Sequence, residues 1–228
     1  MADHPDPARA LLHSRRLVVL DFDGPLTRLL PGQEYLRVAA GALELATSLG
    51  VRADEELSGQ RDHVQLLRAL ARRDVAVARD VEQWCTEQEL AAAARARPVP
   101  AAGLFVAECL ARGVAVAVVT NNAPGAVTAV LARGARVLTE LPIHGRDPGA
   151  LDRLKPAPHM LAAAAREAGR DPAAAVMVGD TASDVQAAAA AGMACIGLSP
   201  DPARRSELLA AGAAAVARDL AALLEDAS

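Results

Sequence analysis

The chain has 228 residues, 52% hydrophobic but only 2% aromatic, with a formal net charge of −4 and a pI near 5.7. That length suits one large domain, or a core with a smaller insert, and the apolar fraction is enough for a substantial interior. Few aromatics leave little for base-stacking platforms, and the acidic balance gives no broad positive field, which excludes nucleic acid as a partner. The cysteines, Cys85, Cys109 and Cys195, are sparse, odd in number and form no CxxC pair. They fit a reducing compartment and argue against a disulfide framework or a zinc site. No apolar run approaches the roughly 18 residues that a membrane span needs. The opening MADHPDPARALLHSRR lacks the apolar core of a signal peptide, so a soluble cytoplasmic protein without membrane partners is expected.

Residues 17–22 (LVVLDF) are a short continuous apolar run, the pattern of a strand buried on both faces. Residues 29–99 behave differently. They contain no clear strand and read as helices over residues 34–49, 54–57, 62–72 and 75–95, with plausible hinges at Pro31-Gly32 and Pro98-Val99-Pro100. Strand and helix then alternate: helix 103–112, strand 114–119, helix 124–133, helix 158–169, strand 175–178, helix 182–192 and strand 194–198. Short strands are also expected at Val137-Leu138 and at residues 214–216. Gly113, Gly134, Gly169 and Gly192 follow helical stretches, as helix stops do. This order implies an α/β fold: a Rossmann-like, doubly wound parallel sheet with an all-helical domain inserted after the first strand. The core would comprise residues 1–28 and 100–228, and the insert residues 29–99.

Four segments carry candidate chemistry, and three of them end strands. Ligands of open α/β sheets bind outside the carboxyl ends of the strands. The first strand runs into Asp21-Phe22-Asp23-Gly24. If extension breaks at Asp21, Asp23 curls back over the same point and Gly24 permits the turn; a solvated strand-end turn is the plain alternative. The second strand ends in Thr120-Asn121-Asn122 before Pro124, where a helix N-terminus offers N–H groups to an anion and Thr120 a hydroxyl, although simple capping explains the same residues. Lys155 is the sole lysine in a chain whose other basic residues are arginine or histidine. Its compact charge approaches a phosphoryl oxygen and a carboxylate together where a planar guanidinium would not. The third buried strand runs into Gly179-Asp180-Thr181-Ala182-Ser183-Asp184, and the four-residue spacing lets both acids face one point. Four converging carboxylates repel unless a cation neutralises them. Oxygen ligands without imidazole or thiolate point to Mg2+.

In this order, DFDGPLT, VAVVTNN, RLKPAP and VGDTASD resemble the motifs of the haloacid dehalogenase superfamily, in particular its phosphoglycolate phosphatase-like members, over nearly the whole chain. The helical insert stands where one subclass carries a cap domain. The resemblance implies a Mg2+-dependent phosphatase acting on a small phosphorylated metabolite, as a monomer or homodimer. Asp21 would be the nucleophile that forms an aspartyl phosphate, and Asp23 the general acid and base. Asp21, Phe22, Asp23, Thr120, Asn121 and Lys155 would surround the phosphoryl group, with Lys155 orienting Asp21. Asp21, Asp23 through its carbonyl, and Asp180 would hold the metal, with Asp184 acting through water or as a support. Leu57-Ser58-Gly59 resembles the specificity segment of such caps, and Gln60, Arg61 and His63 would read the substrate; an arginine there suits a substrate carboxylate. Pro25 departs from the family's usual Thr or Val and stiffens the flap that follows.

Asp23 speaks against carbon–halogen cleavage, which needs no leaving-group acid. The insert has no lysine, which speaks against phosphonate cleavage through a Schiff base. A sugar phosphomutase of the same superfamily and a non-catalytic binding or regulatory protein on this fold are the alternatives.

Overall fold

A computed structural model describes residues 6–224; residues 1–5 and 225–228, counted above with the core and the opening segment, lie outside the described residues. Six strands, Leu17–Leu20 (β1), Ala115–Val119 (β2), Ile143–His144 (β3), Ala175–Gly179 (β4), Ala194–Leu198 (β5) and Ala215–Ala217 (β6), form one parallel sheet. Their order is β3-β2-β1-β4-β5-β6. Every residue of β1 and β4 is buried, as required when helices cover both faces of a parallel sheet. The chain builds outward from β1 to β3, then returns to place β4 on the other side of β1. That reversal puts a crevice at the carboxyl ends of β1 and β4.

The helices around this sheet are Pro7–His13 (α1), Ala102–Ala111 (α6), Pro124–Leu131 (α7), His159–Glu167 (α8), Ala182–Ala190 (α9) and Pro202–Ala210 (α10). Two of them, α1 and α10, go beyond the elements expected from the sequence. Both begin with Asp-Pro-Ala-Arg: the Asp6 carboxylate accepts from the Ala8 N–H at 2.8 Å and Asp201 from Ala203 at 2.9 Å, and proline occupies the first helical position. Val137-Leu138 is not a strand. It lies in a 3-10 turn, Arg136–Glu140, because the free edge of β2 pairs instead with Ile143 and His144. All three cysteines are free and buried. Among the described residues, no helix is long and apolar enough to cross a membrane.

Four helices separate β1 from the rest of the sheet: Glu34–Ser48 (α2), Glu55–Ser58 (α3), His63–Ala71 (α4) and Val75–Ala93 (α5). α2, α4 and α5 pack on one another through residues such as Ala42, Leu67, Leu70 and Val81, all fully buried. The chain leaves and re-enters the core at one point. The Val99 N–H donates to the Leu26 carbonyl at 2.8 Å, and the Thr27 hydroxyl to the Arg97 carbonyl at 2.8 Å.

A second tie is electrostatic. Arg146, just after β3, has a side chain with no exposure; it meets Glu82 and Glu89 of α5, Nε to Glu82 at 2.8 Å and Nη1 to Glu89 at 2.9 Å. It also donates to the Thr86 hydroxyl at 3.0 Å and the Asn121 carbonyl at 2.9 Å. Glu89, fully buried, accepts further from Asn122 Nδ2 at 3.1 Å, the Ala123 N–H at 2.7 Å and His63 Nε2 at 2.8 Å. Burial opposes its ionisation, but the Arg146 guanidinium and His63 outweigh this and hold its carboxyl down at about 2. Removing one partner of such a pair strands the other charge in the interior. Arg146→Met therefore lowers stability by about 3–5 kcal/mol, read from denaturant midpoints. Because the Glu89 carboxyl is depressed from 4.5 to about 2, its stabilisation is complete above 4.5 and lost as pH falls toward 2. Acid titration of Glu89→Gln should show a shallower fall in stability across that window than the parent chain.

Candidate active site

The crevice gathers the strand-end residues from distant segments. β1 and β4 run in register, with Leu20 opposite Val178, and the Asp21 N–H donates to the Val178 carbonyl at 2.9 Å. Asp21 and Asp180 are thereby carried to the same rim. β2 delivers Thr120 beside them, its N–H bonded to the His144 carbonyl of the edge strand at 3.0 Å. A cavity of about 500 Å3 opens over this rim, in the range of small-ligand sites. Asp21, Asp23, Thr120, Asn121, Lys155 and Asp180 all line it.

Lys155 is the hub. Its Nζ lies 2.7 Å from Asp21 Oδ1 and 2.6 Å from Asp184 Oδ1, and donates to the Val119 carbonyl at 3.3 Å. The side chain is only 3% exposed, a position an ammonium holds only when paired. Burial works against its charge, but Asp184 and Asp21 overcome this and raise its pKa. The backbone around it is fixed by Asn121, whose Oδ1 accepts from the Lys155 N–H at 2.8 Å and whose Nδ2 donates to the Lys155 carbonyl at 3.1 Å. The second and third motifs are thus one hydrogen-bonded unit.

The carboxylates divide by their partners. Asp184 is fully buried and committed: Oδ1 to Lys155, Oδ2 to the Thr181 N–H at 3.0 Å and the Thr181 hydroxyl at 2.6 Å, which completes a capping box on α9. Gly179 makes this possible, since a Cβ there would fall 2.5 Å from the Asp184 carboxyl carbon. Asp180 differs, because its buried Oδ1 has no hydrogen-bond partner. Gly24, at φ +112°, lies so close that a Cβ would be 2.3 Å from the Asp180 carboxylate. Asp21, Asp180 and Asp184 offer oxygens within 4.8 Å of one another. Burial first, then neighbouring carboxylates, push Asp21 up to about 7 and Asp180 up to about 8. An oxygen-only cluster with one orphaned acceptor and excess negative charge fits a hard divalent cation. The Asp23 carboxylate stands apart from this trio and accepts from the Leu29 N–H at 2.8 Å; burial nonetheless raises its pKa.

Some expected residues are placed otherwise. Phe22 does not line the cavity: its side chain is fully buried in the core and its N–H donates to Asp21 Oδ1 at 2.7 Å. The Thr120 hydroxyl donates to Asn122 Oδ1 at 2.9 Å, so a phosphoryl oxygen would compete for that hydrogen. Of Gln60, Arg61 and His63, only His63 reaches the cavity wall. Gln60 donates to the Glu56 carbonyl at 3.1 Å and Arg61 is exposed, because Asp62 caps α4 through the Val64 N–H and turns the preceding residues away. Arg28 and Arg204 supply cationic groups on the rim instead. Glu82, Glu89, Asn122 and Arg146 were missed as a polar cluster. Glu82, Thr86 and Glu89 recur at helical spacing among the apolar Val81, Cys85, Ala92 and Ala93 of α5, a signal open to inspection.

The haloacid dehalogenase-like hydrolase family model matches residues 15–192. The fold is similar to that of CbbY from Rhodobacter sphaeroides in complex with phosphate, at 24% identity and TM-score 0.64, covering 92% of this chain and 96% of that one. It is also similar to a phosphonoacetaldehyde hydrolase-like protein from Oleispira antarctica, at 16% identity and TM-score 0.68, covering 92% and 90%. A third similar structure is a HAD family hydrolase from Deinococcus radiodurans R1 with bound phosphate and sodium, at 24% identity and TM-score 0.59, covering 92% and 93%. A search of curated proteins finds no match. With the family model spanning most of the chain and its four motifs meeting at one crevice, the chain belongs to the haloacid dehalogenase-like hydrolases.

Proposed function

We propose that the protein is a Mg2+-dependent phosphatase that hydrolyses a small phosphate monoester through an aspartyl phosphate on Asp21. The observation that carries this reading is the Lys155 ammonium set between Asp21 and Asp184, beside an Asp180 oxygen with no partner. Phosphate in two of the similar structures supports the substrate class.

In the first step Asp21 attacks phosphorus, the bond to the ester oxygen breaks, and Asp23 gives its proton to the departing alkoxide. A carboxyl whose pKa is raised by burial is suited to keeping that proton until it is needed. In the second step Asp23, now a carboxylate, takes a proton from water. The water oxygen attacks phosphorus, inorganic phosphate leaves, and Asp21 returns to a carboxylate. Lys155 keeps Asp21 oriented and offsets charge on the phosphoryl oxygens. Asn121 offers its backbone N–H to those oxygens, and Thr120 its hydroxyl. Asp21, Asp180 and the carbonyl of Asp23 would hold Mg2+, which supplies positive charge for the carboxylates and the phosphoryl group; Asp184 supports the site through Lys155. The inserted helices act as a cap that excludes water from the cavity.

A phosphomutase would use the same motifs. The inserted helices contain no lysine, however, and face the cavity with Asp62, His63 and Gln65.

The reading predicts Mg2+-dependent release of phosphate from p-nitrophenyl phosphate without any bisphosphate primer. Asp21→Asn should abolish it, with a loss of at least about 10³-fold in kcat, while leaving the melting temperature within a few degrees. Release that needs a bisphosphate primer would favour a mutase, and undiminished activity in Asp21→Asn would sink the mechanism. Gly24→Ala should be costly for two reasons, its positive φ and its contact with Asp180. A stability loss of about 1–3 kcal/mol and a weaker apparent affinity for Mg2+ in a metal titration are expected.

A further inference from the structure

Helix α7 begins directly after the Thr120-Asn121-Asn122 loop, yet supplies no cap of its own. Its N-cap position is Ala123, which has no side-chain acceptor, and Pro124 follows. The acceptor comes instead from the inserted helices. Glu89 of α5 takes the Ala123 N–H on Oε2 at 2.7 Å and Asn122 Nδ2 on Oε1 at 3.1 Å. A carboxylate in that place meets an unpaired donor and the positive end of the helix together. The helix N-terminus is thereby committed to a residue of the insert.

Arg146 holds the same loop from its carbonyl side. Its backbone N–H donates to the Asn122 carbonyl and its Nη1 to the Asn121 carbonyl, each at 2.9 Å. Gly145 lets the two segments come this close, since a Cβ there would fall 3.0 Å from the Asn122 carbonyl oxygen. The Asn121 side chain is taken at both ends by the Lys155 backbone. The loop's own donors are also engaged: the Thr120 N–H goes to His144, the Asn122 N–H to the Thr120 hydroxyl at 3.2 Å and the Ala123 N–H to Glu89. The Asn121 N–H differs from these in having no acceptor among the described residues, and Asn121 lines the cavity. It is the donor read above as meeting the phosphoryl oxygens. Its direction is therefore set by whatever holds residues 121–123 in place.

We infer that Glu89 and Arg146 are positioning residues that aim the Asn121 N–H at the phosphoryl group, so the inserted helices take part in phosphoryl transfer from every substrate and not only in the choice among substrates. This inference rests on the phosphatase reading. Neither side chain lines the cavity over the strand ends, so both act through the loop.

The test uses Glu89→Gln and Arg146→Lys with Mg2+ present. An amide has one acceptor oxygen where the carboxylate has two, so Ala123, Asn122 and Arg146 can no longer all be met. An ammonium keeps the charge of Arg146 but not its planar array of donors. A loop shifted by a fraction of an ångström predicts a fall of about tenfold to hundredfold in kcat/KM, of similar size for p-nitrophenyl phosphate, glycerol 1-phosphate and propyl phosphate. The Ki for orthovanadate, a mimic of the phosphoryl group in transfer, should rise at least about tenfold. Orthovanadate has no leaving group, so its Ki separates a misplaced loop from a change at Asp23, on whose carboxyl Glu89 also acts. Val81→Ala removes buried bulk from the same helix and no hydrogen bond, and should leave that Ki within about twofold of the parent value. Ki does not depend on the fraction of protein folded, and Arg146→Lys is read by itself if Glu89→Gln does not accumulate. An unchanged Ki in the loop variants, a loss confined to one ester, or an equal rise in Val81→Ala overturns the inference and leaves the phosphatase reading intact. Absence of phosphate release from all three esters in the parent chain overturns both.

Discussion

The site depends on a single buried cation. Lys155 lies between Asp21 and Asp184, and among the described residues neither carboxylate has another cationic side chain against it. Taking an ammonium and two carboxylates out of water is costly unless their geometry is good and their remaining hydrogen-bonding capacity is met. Here the spare oxygen of Asp184 goes to Thr181, while Asn121 clamps the lysine backbone on both sides. The motifs are therefore parts of one charge-balanced cluster and not separate attachments to a common rim. The balance is incomplete, since Asp180 adds a further carboxylate with an unmatched oxygen. That surplus negative charge is the physical case for a divalent ion.

The same logic recurs one layer out, between the inserted helices and the sheet. Arg146 plays the part there that Lys155 plays at the centre, and Glu89 the part of Asp184. The choice of cation follows from the number of groups to be met. Arg146 must reach two carboxylates, a hydroxyl and a carbonyl at once, which a guanidinium with its planar array of donors does and an ammonium does not. Lys155 has only two carboxylates and one carbonyl to meet in a buried position, where a small charge suffices. The two networks meet at Asn121, whose carbonyl accepts from Arg146 while its side-chain amide holds the Lys155 backbone. The position of α5 is thereby coupled to the loop at the end of β2, so the inserted helices and the strand-end residues are positioned together.

Much of this was readable along the chain. Continuous apolar runs marked β1, β2, β4 and β5 because a strand buried on both faces has no polar side to alternate with. Lys155 stood out because no other lysine competes with it for attention. The N-terminal helix and α10 were passed over even though Asp-Pro-Ala-Arg opens both, since each buries few apolar residues, Ala8 and Leu12 in the first and Leu208 in the second. The expected strand at Val137-Leu138 failed for a different reason: two apolar residues suit an edge strand or a 3-10 turn equally, and only the pairing available at β2 distinguishes them.

By itself the sequence determined the fold class, the helical character of the segment after β1, the identity of the acids and the lysine, and the strand ends on which most of them stand. These are local properties, carried by periodicity and by residue type at a break in it. The tertiary structure alone decided which oxygens are taken and which left over, that Phe22 faces the core, that Arg61 faces solvent while His63 faces the cavity, and that Glu82 and Glu89 are buried against Arg146 and not solvated. Such outcomes depend on distances between residues dozens of positions apart, and hydrogen-bond satisfaction is settled pair by pair in space, where chain order carries no information about it.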